Sequence, residues 1–157
     1  MGCDIHIYTE AKINGKWTCV DKLRRTQEDW DNTLVPYTPI REVYEGRNYI
    51  LFGALAGVRQ WSSEGNLLIS EPKGLPNNLS DVIQEIADFQ LEHTPSWLTL
   101  RELKDYKWYN KQKVNRIYLK YFFARSIKDS AVNKLSKLQK KHKIQPEDIR
   151  IVFWFDS

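Results

Sequence analysis

Apolar and polar residues alternate from the start of the chain. Between Cys3 and Glu10, the apolar Cys3, Ile5 and Ile7 fall on one face of a β-strand. Asp4, His6, Tyr8 and Glu10 fall on the other. The pattern continues through residues 16–22, and Asn14-Gly15 between the two runs supplies a tight turn of positive φ. Residues 3–12 and 16–22 therefore predict an N-terminal hairpin, with Trp17 and Cys19 on one face of its second arm. Residues 24–45 hold Pro36, Pro39 and several charges without a clear period, and read as a long loop.

The period then changes to that of a helix. Tyr49, Phe52, Leu55 and Ala56 recur at three- and four-residue spacing and predict a helix over 47–59. Residues 60–79 read as loop. Ser80 is placed to cap a second helix from Asp81 to about Glu92, with Val82, Ile83, Ile86, Ala87 and Phe89 or Gln90 inward. His93-Thr94-Pro95-Ser96-Trp97 reads as an irregular junction broken by proline. Thr99 and Glu102 have the spacing of a capping box, which starts a third helix. Residues 114–124 fit strand or helix equally. Lys128 to Lys143 is a basic amphipathic helix with Ile127, Ala131, Leu135 and Leu138 inward, and residues 149–155 are a buried strand. Strands at both termini with helices between them predict an α+β fold. It comprises a small antiparallel sheet, built from the N-terminal hairpin and the C-terminal strand, packed against several helices on one face, with long loops. At 157 residues the expectation is a single domain, 1–157.

Composition narrows the function classes. No apolar run is long enough to span a bilayer, so no membrane partner is expected. Asp4 and His6 interrupt any apolar leader near the start. Met1-Gly2-Cys3 hints at N-terminal acylation, but position 6 holds His where that pattern wants Ser or Thr. The two cysteines, Cys3 and Cys19, are expected to be reduced thiols. The net charge of +4 is unevenly spread. Residues 1–100 hold 9 Lys and Arg against 14 Asp and Glu, whereas residues 101–143 hold 14 against 3. The basic segment 104–143, with Tyr106, Trp108 and Tyr109 interleaved, would suit single-stranded nucleic acid. A solvated surface is the favoured reading of it.

Four constellations could carry chemistry. Asp4 and His6 lie about 7 Å apart along one strand face, beside Tyr8. They are weak candidates for metal ligation with His93, or for acid–base work, against an imidazole simply satisfied by a neighbour. Arg47 and Asn48 fall at a helix N-terminus, where backbone N–H groups favour anions; the alternative is an Arg47 paired with a surface acid. Arg59 and Trp61, with Ser62 and Ser63, suit a phosphate and a base, or else Trp61 fills the core. His93, Ser96 and Trp97 place an imidazole, a hydroxyl and an indole in the proline-broken junction. There His93 could also cap the preceding helix. Ser96 lacks a nucleophile elbow, and no phosphate-cradling glycine loop or dinucleotide fingerprint is present.

Several blocks resemble a family of small phage and bacterial proteins that open with Met-Gly-Cys-Asp-Ile-His. They are Met1–His6 with Tyr8 and Glu10, Arg47-Asn-Tyr-x-Leu-Phe52 with Leu55, Ala56 and Arg59, and Pro72-x-Gly-Leu-Pro76. His93-x-x-Ser-Trp-Leu-Thr-Leu100 and Val152-Phe-Trp-Phe-Asp156 complete the set. The resemblance implies a phage or mobile-element setting, and a cytoplasmic location in the infected or host bacterium. It implies no established activity. The leading expectation is a non-catalytic protein that holds an anionic, nucleotide-like small molecule, a sponge for an immune signalling nucleotide of the host. Its site would comprise Asp4, His6, Tyr8, Arg47, Asn48, Arg59, Trp61, His93, Ser96 and Trp97. No cofactor is expected, and a two-fold oligomer is the default. One rival is a metal-assisted or His/Asp-dependent phosphodiesterase using His6, His93 and Asp4. The other is a protein-directed inhibitor or nucleic-acid binder using residues 104–143.

Overall fold

The computed structural model describes residues 2–27, 34–39, 44, 46–60, 68–106 and 132–157. Its centre is a four-stranded antiparallel sheet in the order β2-β1-β6-β5. β1 is Asp4–Ile13, β2 Lys16–Cys19, β5 His93–Thr99 and β6 Ile149–Asp156. The predicted hairpin is present, with Asn14 and Gly15 both at positive φ in the turn. The C-terminal strand pairs along the whole of β1, from Asp4 opposite Asp156 to Ala11 opposite Ile149.

The fold is α+β, with helices on both faces of the sheet rather than one. On the first face, Cys3, Ile5, Ile7, Ile149, Ile151, Phe153 and Phe155 pack against α1 (Tyr49–Ala56), α3 (Leu100–Asp105) and α4 (Val132–His142). Phe52 meets Phe155 edge-on at 5.2 Å. On the second face, Tyr8, Val152 and Trp154 pack against Ile83, Ile86 and Ala87 of α2 (Asp81–Gln90). Residues 149–155 carry apolar side chains on both faces because both faces are covered. None of the described helices is long and apolar enough to cross a membrane.

Local signals explain both ends of α1 and the start of α3. The Asn48 side chain accepts from the N–H groups of Ile50 and Leu51, and Gly57 closes α1 at φ 69°. α1 is enclosed rather than amphipathic, since Leu51 and Ala54 are buried along with Phe52 and Leu55. Thr99 and Glu102 form the full capping box at α3. Ser80 does not cap α2 with its side chain. Its N–H instead donates to Glu10 Oε2 at 2.7 Å. Phe89 points outward, 57% exposed.

Two further expectations are corrected. The span 24–45 is not all loop, for β3 (Leu23–Gln27) and β4 (Leu34–Pro39) pair in a separate antiparallel ribbon. The pairing runs Arg25 to Tyr37 and then Thr26 to Val35, so Pro36 is passed over at a register shift. A two-stranded ribbon consists only of edges, where proline is tolerated. Residues 93–97, read as a junction between helices, are the edge strand β5. A bulge between His93 and Ser96, with Thr94 at φ 51°, accommodates Pro95. The outer side of β5 is occupied by the 73–74 backbone: Gly74 N–H donates to the Pro95 carbonyl, and Lys73 N–H to Ser96 Oγ.

Candidate functional site

The alternation along β1 puts Asp4, His6, Tyr8, Glu10 and Lys12 on the second sheet face, as the sequence predicts. What the alternation does not reveal is where α2 lands. It covers Tyr8, which is 2% exposed and donates to Gln90 Oε1 at 3.3 Å. The polar row is thereby cut into two ends. Six residues of strand, roughly 20 Å, separate His6 from Lys12.

The first end gathers Asp4, His6, Arg47, Arg59 and His93 near the tips of the strands. Arg47 holds Asp4 in a bidentate fork, Nε to Oδ1 at 2.6 Å and Nη2 to Oδ2 at 2.7 Å. The guanidinium holds the Asp4 carboxyl below its ordinary value, and the carboxylate raises Arg47 in return. Gly2 permits this fork, because a Cβ there would lie 2.5 Å from Arg47 Nη1. His6 Nε2 meets Asp156 Oδ2 at 2.8 Å, and its ring lies along Trp154 on the second face. His93 instead stacks on Phe155, on the first face, with Nε2 3.4 Å from Ser157 Oγ. The two histidines thus project from opposite sides of the sheet. Arg59 lies over the Tyr49 ring at 5.9 Å and beside the buried Cys3 thiol, which burial pushes up. Asn48 is committed to capping. Among the described residues, no three His, Cys, Asp or Glu side chains are grouped to hold a metal. Arg47 and His6 each face a carboxylate.

The second end is a cleft of about 530 Å³. Its floor is built on Arg150, the one charged residue in the buried run 149–155. Arg150 is 1% exposed and pairs with the fully buried Glu10 at 2.7 Å. Its Nη1 donates to Asn78 Oδ1 at 3.0 Å. Burial lowers the Arg150 pKa and Glu10 opposes that shift. The guanidinium lies 3.8 Å from the centre of Trp17 on β2 and 5.3 Å from that of Trp97 on β5. Lys73 Nζ lies over Trp97 at 4.0 Å while bound to both carboxylate oxygens of Glu102. The result is a ladder of alternating indoles and cations across the sheet. Lys12, Asn77, Asn78 and Glu147 also line it, beside Leu75, Pro76 and Thr99, with Glu147 held by Arg101.

Of the candidates read from sequence, Trp97 alone lines this cleft. Ser96 is buried at 1% and receives the Lys73 N–H, a structural role. Trp61 lies outside the described residues, as do 107–131 of the basic segment. Sequence reasoning missed Lys12, Trp17, Lys73 and Arg150. One signal was available: a lone arginine inside an apolar strand must have a buried partner, and Glu10 was on the matching face.

No protein-family model, curated protein or solved structure matches this chain. Its function is therefore argued from these geometries.

Proposed function

We propose that this protein binds an anionic, nucleotide-like small molecule in the second-face cleft and holds it without chemistry. The observation that carries the reading is the floor of the cleft, where two indoles bracket a buried guanidinium and cations lie at either side. Indoles offer flat apolar area to a base, and lysines offer charge to a phosphate. The cleft volume falls in the range of small-molecule sites. The expected phosphate arginines, Arg47 and Arg59, are not part of this site. In the phage setting suggested by the opening motif, the biological use of such binding is sequestration of a host signalling nucleotide.

Thermal melting with mono-, di- and cyclic nucleotides tests the reading. A ligand present at 100 times its Kd stabilises by about 2.7 kcal/mol, a rise of roughly 5–10 °C for a chain of this length. No shift with any nucleotide at millimolar concentration would remove the proposal. Ligand recovered intact after heat denaturation supports sequestration. Ligand recovered cleaved would instead favour the phosphodiesterase reading, for which the His6–Asp156 contact at 2.8 Å is the specific support.

A further inference from the structure

Lys12 and Trp17 are directly opposed on β1 and β2, on the same face, and both line the cleft. The other cations of the cleft are already matched. Arg150 is paired with Glu10 and hydrogen-bonded to Asn78, and Lys73 is paired with Glu102. Lys12 has no such carboxylate among the described residues. The two indoles also differ. Trp97 has Lys73 over its ring at 4.0 Å and Arg150 at 5.3 Å, so cations crowd it. Trp17 has one guanidinium at 3.8 Å, and it stands on a short edge strand beside the turn at Asn14-Gly15. A guanidinium seated against one face of an indole leaves the opposite face for a ring. Directly opposed strand positions place their Cβ atoms roughly 5 Å apart, so a ring on Trp17 brings a group attached to it near Lys12.

We infer that Lys12 and Trp17 form a recognition unit for a mononucleotide, with the base stacked on Trp17 and a single phosphate on Lys12. This inference rests on the binding role proposed above and narrows it to one ring and one anionic group. Arg150 serves as a positioning residue: it backs Trp17 and turns the Asn78 amide so that its oxygen faces inward, leaving the amide N–H₂ as a second donor for the ligand. Charge count sets the class. Among the described residues of the cleft one ammonium is unmatched and suits one phosphate, whereas a di- or triphosphate would need Lys73 or Arg150, which are already paired.

Calorimetric titration of the full chain with the four 5′-mononucleotides, adenosine and inorganic phosphate tests this. Binding of at least one mononucleotide is expected, at least tenfold tighter than adenosine or phosphate alone. Lys12→Gln and Trp17→Leu should each weaken it tenfold or more, and Lys12→Arg should retain most of it. Because Trp17 is half-buried, far-ultraviolet circular dichroism checks that Trp17→Leu folds. Lys12 is exposed, so its variants carry the test regardless. If no mononucleotide binds while a cyclic or dinucleotide raises the melting temperature, this inference fails and the broader role stands. If mononucleotide binding is indifferent to both substitutions, the recognition unit lies elsewhere. If no nucleotide of any kind binds, both fall together.

Discussion

Glu10 and Arg150 sit directly opposite each other on β1 and β6, joined at 2.7 Å, with neither side chain more than 2% exposed. Removing one partner strands the other charge in the core. Arg150→Met and Glu10→Leu should each destabilise by about 3–5 kcal/mol, whereas the double substitution should recover most of that loss. Urea denaturation of the three variants measures it. Additive losses in the double variant would show that the two charges do not depend on each other.

Asn48 and Ser96 were read from sequence as ligand contacts and are structural in the fold. Asn48→Ala removes the cap of α1 and should cost about 1 kcal/mol. Ser96→Ala leaves the Lys73 N–H without its acceptor and should cost a similar amount. Neither should change the affinity for a ligand in the cleft by more than twofold. A tenfold loss from Asn48→Ala would return the site to the first end of the sheet.

Acid should unlatch the first end. A carboxylate whose pKa falls on folding contributes stability above its unfolded pKa, and that contribution disappears as pH drops through the folded value. Asp4 behaves this way, because Arg47 holds it below the ordinary 3.8. Carbon-detected NMR titration should place its midpoint under 3.8. Gly2→Ala inserts a Cβ into the space of the guanidinium and should move the midpoint back up. Both side chains are about half-exposed, so the melting temperature at neutral pH should barely respond.

The thiols should be inert in the folded state. Cys3 is buried against the first face, and burial pushes Cys19 up to about 12. They belong to opposite faces of the sheet and cannot bridge. A thiol-exchange reagent at pH 8 should titrate neither cysteine rapidly in native protein and both in guanidinium. Fast native labelling of Cys19 would show that its surroundings open.

Elements whose residues carry their own instructions were legible in sequence. Asn14-Gly15 specified a turn, the Thr99 and Glu102 pair specified a helix start, and the two-residue alternation assigned Asp4, His6 and Glu10 to one side of β1. Each of these depends on neighbours within a few positions. Pro36 and Pro39 hid the β3–β4 ribbon because a proline in a strand is acceptable only at an edge or where the pairing skips it, and neither condition can be seen in one strand. Pro95 hid β5 in the same way. The candidate site was half legible. That Glu10 belonged to a polar face was readable; that α2 would seal Tyr8 and leave Lys12 in a cleft with Trp17 and Arg150 depended on contacts over more than 70 positions. Residues 93 and 6 look alike in sequence, yet the direction of β5 and its bulge set them on opposite sides.

That bulge has one more effect. With Pro95 lacking a donor, Thr94 turned to positive φ and the 73–74 backbone bonded at Pro95 and Ser96, this stretch of the β5 border is a poor template for an added strand. The opposite border of this sheet is formed by the four residues of β2 and by the part of β1 that β2 does not reach. A single dipeptide thereby guards one side of this sheet against edge-to-edge growth.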